Sequence, residues 1–103
     1  MIYSVVTMII KPGEMEKFIE ECKKIRPLVL SEKGCLIYDY TREIQFDDDQ
    51  EKINSNRITL YEKWESKEAL EKHNNMKYMY DFVQKVKSMR ESVTVRIGEE
   101  VFI

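Results

Sequence analysis

"RITLYEKWESKEALEKH", residues 57–73, changes its period in the middle. Residues 57–64 read as a β-strand rich in β-branched and aromatic side chains, with Trp64 at its end. Ser66 then makes a good helix N-cap, and Glu68 falls in the first turn, where the helix dipole favours an acid. From there Ala69, Leu70 and His73 share one helix face, because 69 to 73 and 70 to 73 are i+4 and i+3 steps. Ala69 and Leu70 are the apolar residues of this segment and must face a sheet. His73 therefore points inward too, roughly 10 Å along the axis from the N-cap at about 1.5 Å per residue. A strand thus feeds a helix whose inner face carries the chain's single histidine.

Upstream, residues 2–10 read as a strand, with Ile2, Val6, Met8 and Ile10 on one face and Tyr3, Val5 and Ile9 on the other. A strand apolar on both faces is covered on both sides. "KPGE" at 11–14 is turn chemistry. Met15, Phe18, Ile19, Cys22, Ile25 and Val29 then follow the stripe of one helix face. Pro27 removes a backbone hydrogen bond and predicts a kink near the end of this helix, with Gly34 as its stop. "CLIYDYTR", residues 35–42, is a second strand with Leu36, Tyr38 and Tyr40 on one face. Residues 43–56 are polar and acidic and read as a long hairpin loop or an extended edge, expected to be the most mobile segment and either passive or a lid or rim of the pocket.

Downstream, "HNN" at 73–75 interrupts the helix, and a further one begins around Met76 with Met79, Phe82, Val83, Val86 and Met89 as its stripe. Residues 91–98 form the last strand, and "EEVFI" is an apolar tail that extends it or crosses to a partner. The order β-α-β-β-α-β predicts an α+β fold over residues 1–103 as a single domain. It is the ferredoxin-like split βαβ arrangement with a four-stranded antiparallel sheet. Helices cover one face of such a sheet. The doubly apolar first strand then calls for a homodimer packed sheet to sheet.

The chain is 43% hydrophobic and 35% charged, with net charge −2 from seventeen basic and nineteen acidic residues interspersed. This is the profile of a soluble globular protein without an electrostatic footprint for nucleic acid or anionic lipid. The apolar run "IYSVVTMII" is too short for a membrane span and lacks signal-peptide flanks. Cys22 and Cys35 have no CxxC spacing and read as reduced thiols in a cytoplasmic protein. One histidine and two separated cysteines do not build the usual zinc or iron sites. Three scattered glycines make no phosphate cradle, and "DDDQE" lacks the spacing of a calcium loop. No metal or organic cofactor is expected. The candidates left are His73, Trp64 and the tyrosines. On the residues alone, His73 is more often a satisfied core histidine and Trp64 a core filler.

"PGEMEKFIEECKKIRPLVLSEKGCLIYDY" followed by "ITLYEKWESKEALEKH" resembles the antibiotic biosynthesis monooxygenase family, particularly its small quinol monooxygenase-like members. The likeness runs from Tyr3 to about Met89. It implies a dimeric α+β barrel with a pocket in each subunit, and cofactor-free oxidation of a quinol, phenol or anthrone by O2. The substrate supplies the electrons, so the protein provides a base, a dry pocket and fixed geometry. The family motif matches at Trp64 and His73, with His73 as the base; the further candidates in this chain are Tyr78 as a catalytic residue and Trp64, Tyr38, Tyr40 and Tyr61 as substrate-binding residues. Many relatives carry a second histidine where this chain has Tyr78, and a phenol is a poor base at its ordinary pKa. Haem-degrading relatives use an asparagine, a tryptophan and an iron-ligating histidine at places that here hold Val6–Thr7, His73 and about Val83. That activity is not expected. Two other readings compete: an isomerase of the autoinducer-processing type, and a non-catalytic dimeric binding or stress-response module.

Overall fold

Strand β1, Ile2–Ile10, runs through the middle of a four-stranded sheet in the computed structural model, which describes residues 1–103. Helix α1 (Met15–Leu30), strand β2 (Cys35–Arg42) and strand β3 (Arg57–Trp64) follow it. Helices α2 (Lys67–Asn74) and α3 (Lys77–Val86), a 3-10 turn (Lys87–Met89) and strand β4 (Arg90–Glu99) complete the chain. The strands lie in the order β2-β3-β1-β4 and every pairing is antiparallel. This is the α+β ferredoxin-like split βαβ arrangement. No helix is long and apolar enough to cross a membrane.

Strand alternation decides which residues meet the helices. On β1 the even positions do so, and Ser4, Met8 and Ile10 are buried. On β3 the row is Ile58, Leu60, Glu62 and Trp64, all buried. From α1 come Phe18, Cys22, Ile25 and Val29, and from α3 Phe82 and Val86. Each large apolar side chain sealed this way contributes about 1.5–3 kcal/mol of transfer free energy. The opposite face carries Tyr3, Val5, Thr7 and Ile9 of β1 beside Tyr61 and Lys63 of β3. Tyr3 and Tyr61 stand 38% and 48% exposed there, so no helix covers that side.

Two local expectations are revised. Leu36 does not share a face with Tyr38 and Tyr40, because the register slips between Cys35 and Ile37 and leaves Leu36 44% exposed. Pro27 lies inside α1, which ends at Leu30 and is closed by Ser31, the first residue of "SEKG", rather than by Gly34. Gly34 lies further on, at φ +91°, and turns the chain into β2. Residues 43–56 are held at their base by the Glu43–Arg57 ion pair and by Glu43 accepting from the Asn54 amide at 3.0 Å, with Ile44 and Phe46 exposed.

Candidate functional site

Helix α2 starts as its sequence requires. The Ser66 hydroxyl accepts from the Ala69 amide at 3.1 Å, which sets the rotation of the helix and turns His73 toward the sheet. The ring is 2% exposed. It lies over the Trp64 indole, with centroids 4.6 Å apart and a 34° tilt, and meets the edge of Tyr38 at 5.6 Å.

Two carboxylates hold this cluster, and neither was singled out from the sequence. Glu32, in the turn after α1, has Oε2 at 2.8 Å from His73 Nδ1, and the Tyr78 hydroxyl donates to the same oxygen. A carboxylate acceptor at Nδ1 places the imidazole proton there and leaves the Nε2 lone pair free. Nε2 makes no hydrogen bond within the chain and is not among its sealed unpartnered atoms. Glu62, on β3, accepts from Trp64 Nε1 at 3.0 Å and from the Ser4 hydroxyl at 3.2 Å. Burial raises the Glu62 pKa above the usual carboxylate range, against the lowering effect of the Trp64 bond. Strand period was the available signal for Glu62: it stands two residues before Trp64 and therefore shares its face. Glu32 had no comparable signal, since it lies in a turn 41 residues from its partner.

His73 lines a cavity of about 300 Å³ between the sheet and α3. Its apolar walls include Met8, Leu60, Met79, Phe82 and Val93, and its polar groups are Tyr38, Tyr40, Glu62, His73, Asn74 and Arg90. Burial pushes the hydroxyls of Tyr38 and Tyr40 well above the ordinary phenol value, so both are neutral donors and acceptors at neutral pH. Val6 and Val83 also line the cavity and carry no atom that ligates iron. No three His, Cys, Asp or Glu side chains converge to hold a metal. A larger groove, about 540 Å³, lies between α1 and β2 on the far side of Tyr40. It contains no histidine or free carboxylate: its one acid, Asp39, is paired with Arg26 at 3.0 Å.

The residues singled out from sequence separate into three groups. Tyr38 and Tyr40 line the cavity with His73. Trp64 is fully sealed beneath the histidine ring and forms none of the cavity surface, and Tyr78 lines a separate pocket with Glu32 and Lys72. The expectation that Trp64 and Tyr78 line the same cavity as His73 is therefore corrected: one supports the ring from below, the other its carboxylate from outside. Tyr61 lies on the opposite face of the sheet and cannot touch a molecule in this cavity, because β3 itself stands between. Residues 43–56 contribute nothing to the cavity wall.

A family model described as antibiotic biosynthesis monooxygenase matches residues 1–85. No curated protein matches the sequence significantly. Among solved structures, the chain is similar to a conserved protein from Methanosarcina mazei Go1, at 20% identity and TM-score 0.85 over 96% of this chain and 91% of that one. It is similar to PA3566 from Pseudomonas aeruginosa, at 21% identity and TM-score 0.81 over 98% and 94%. A Nitrosomonas europaea protein provisionally described as an antibiotic biosynthesis monooxygenase matches at 16% identity and TM-score 0.84 over 99% and 100%. At these identities the structural likeness speaks for the fold.

Proposed function

Because the chain belongs to the antibiotic biosynthesis monooxygenase family, we propose that it oxidises an aromatic quinol, phenol or anthrone with O2 in the cavity beside His73, without a cofactor. The observation that carries this reading is the histidine itself. Its Nδ1 is anchored to Glu32 at 2.8 Å, its ring is stacked on Trp64, and it lines a largely apolar cavity with Nε2 unengaged. That is the arrangement of a general base with a fixed tautomer against a largely apolar wall.

With an anthrone-type methylene, Nε2 takes one proton and the resulting carbanion gives an electron to O2. The radical pair joins at carbon as a peroxide, which loses water to leave a carbonyl. One oxygen atom enters the product and the other leaves in water with the two methylene hydrogens. Glu32 steadies the imidazolium formed on the way, and Tyr78 holds Glu32 in place. Tyr78 on this reading is a positioning residue and does not stand in for a second base.

The partner is a second copy of the chain. The face of the sheet away from the helices keeps Tyr3, Val5, Ile9, Ile37 and Tyr61 without cover, which supports sheet-to-sheet packing. Light scattering at micromolar concentration should return about twice the 12.4 kDa chain mass. A stable monomer would remove this part of the proposal.

Oxygen uptake with a panel of quinols and anthrones tests the chemistry. His73→Ala should lose about 10²–10⁴-fold in rate, the usual share of a general base. Tyr78→Phe should lose less, since the carboxylate it supports remains. If folded His73→Ala consumes O2 as fast as wild type, His73 is structural and the mechanism fails. Interconversion of hydroxy-carbonyl compounds without O2 uptake would favour an isomerase. Ligand binding with neither activity would leave a binding module.

A further inference from the structure

The cavity has a second polar pole that the proton-transfer chemistry does not use. Arg90 opens β4 opposite Ile10, just where the β1–β4 register shifts. Its side chain folds back along β1 until Nη1 meets the sulfur of Met8 at 3.8 Å, a weak acceptor. Nε is sealed from solvent with no hydrogen-bond partner, and it is the only such side-chain atom in the chain. Nη2 also makes no hydrogen bond within the chain and is not sealed, and Arg90 is among the residues that line the cavity.

No carboxylate pairs with this guanidinium. The ionisable groups nearest to it electrostatically are Cys22 and Tyr40. Burial pushes the Cys22 thiol up to about 12 and raises Tyr40 as well, so both are neutral near pH 7. Glu62, the one carboxyl in the cavity, is occupied by Ser4 and Trp64 at the other end. A half-buried cation without a counter-ion is costly unless something else supplies the negative charge. Arginine is also the side chain whose planar fork best matches a carboxylate.

We propose that Arg90 selects the substrate by binding an anionic oxygen, so that the cavity takes an aromatic acid. The carboxylate meets Nη2 of Arg90, and the hydroxyl or methylene to be deprotonated lies toward His73. This inference rests on the reading of the cavity as the substrate site and adds the class of substrate to it. The row of Met8, where the guanidinium rests, and the row of Ser4 and Glu62, beside His73, are four β1 residues apart. At about 3.3 Å per residue that is about 13 Å, a span suited to two or three fused rings. Arg90 lies on β4, beyond residue 85, where the family match ends.

The test is calorimetric binding of 6-hydroxy-2-naphthoate and its methyl ester, with no oxygen chemistry required. Wild type should bind the acid about tenfold or more tightly than the ester, as expected for a charge-assisted hydrogen bond. Arg90→Gln should reduce that preference to within about twofold, Arg90→Lys should retain part of it, and His73→Ala should keep it. In wild type the preference should vanish as pH falls through the pKa of the naphthoate carboxyl, a readout that needs no variant. Equal affinity for acid and ester, binding of neither, or a preference that survives in folded Arg90→Gln would overturn the inference. Discrimination without O2 uptake would overturn only the monooxygenase reading.

Discussion

Replacing Gly34 with alanine drives a methyl group into the helix that carries His73. A Cβ built on Gly34 lies 2.7 Å from the Cβ of Ala69, and the residue sits at φ +91°. Neither side gives way easily. Ala69 is in the first turn of α2, fixed by its own bond to Ser66, and the Gly34 carbonyl accepts from the Glu65 amide at 2.8 Å. The left-handed conformation costs an L-residue about 1–2 kcal/mol, and overpacking adds about 1–3 kcal/mol. Reduced freedom of the unfolded chain returns about 0.4–1 kcal/mol. The net loss is about 1–4.6 kcal/mol, which at about 4 °C per kcal/mol lowers Tm by about 4–18 °C. Urea melts of Gly34→Ala, Ala69→Gly and the double variant form the assay. The double variant removes the contact and keeps the backbone strain, so the cycle should show a coupling of about 1–3 kcal/mol. A loss under about 0.5 kcal/mol, or no coupling, would refute the reasoning. The same displacement moves α2 away from the turn holding Glu32, so binding in the cavity should weaken in the single variant and recover in the double.

Glu62→Gln removes a carboxyl whose folded pKa is raised by burial. Such a group stabilises the fold fully below its unfolded value, about 4.3, and that contribution is lost as pH rises through the folded value. The stability of wild type relative to Glu62→Gln should therefore decline from about pH 4 upward, followed by urea melts at stepped pH; a difference independent of pH sinks the assignment. Burial lifts the thiols of Cys22 and Cys35 to about 12 and about 11. At pH 8 the native protein should take up iodoacetamide at least about a hundredfold more slowly than a free thiol of pKa about 8.5, and should label fully in urea. Prompt native labelling of Cys35 would contradict this.

Period and capping residues carried most of the architecture. The β-branched run 2–10, the stripe from Met15 to Val29, the Ser66 cap and the break at "HNN" each dictate local structure through short-range sterics and hydrogen bonding. They yield β-α-β-β-α-β directly, and they turn His73 inward, because cap position and helix pitch set direction within a single element. Leu36 escaped this logic because a bulge is a property of the β2–β3 pairing and leaves no mark in β2 alone. The site is different in kind. Tyr61 and Trp64 stand three residues apart on one strand, yet one faces open solvent and the other lies under the histidine, since odd and even positions meet different layers. Glu32 is 41 residues from His73, and Arg90 and His73 reach one cavity from β4 and α2. These meetings depend on how the sheet orders its strands and where α1 ends. By itself the sequence determined the elements, their order and the inward histidine, because those follow from interactions a few residues long. Only the tertiary structure decided which carboxylate holds that histidine, which tyrosines share its cavity and which cation stands unpaired across from it, because each is a contact between groups far apart in the chain.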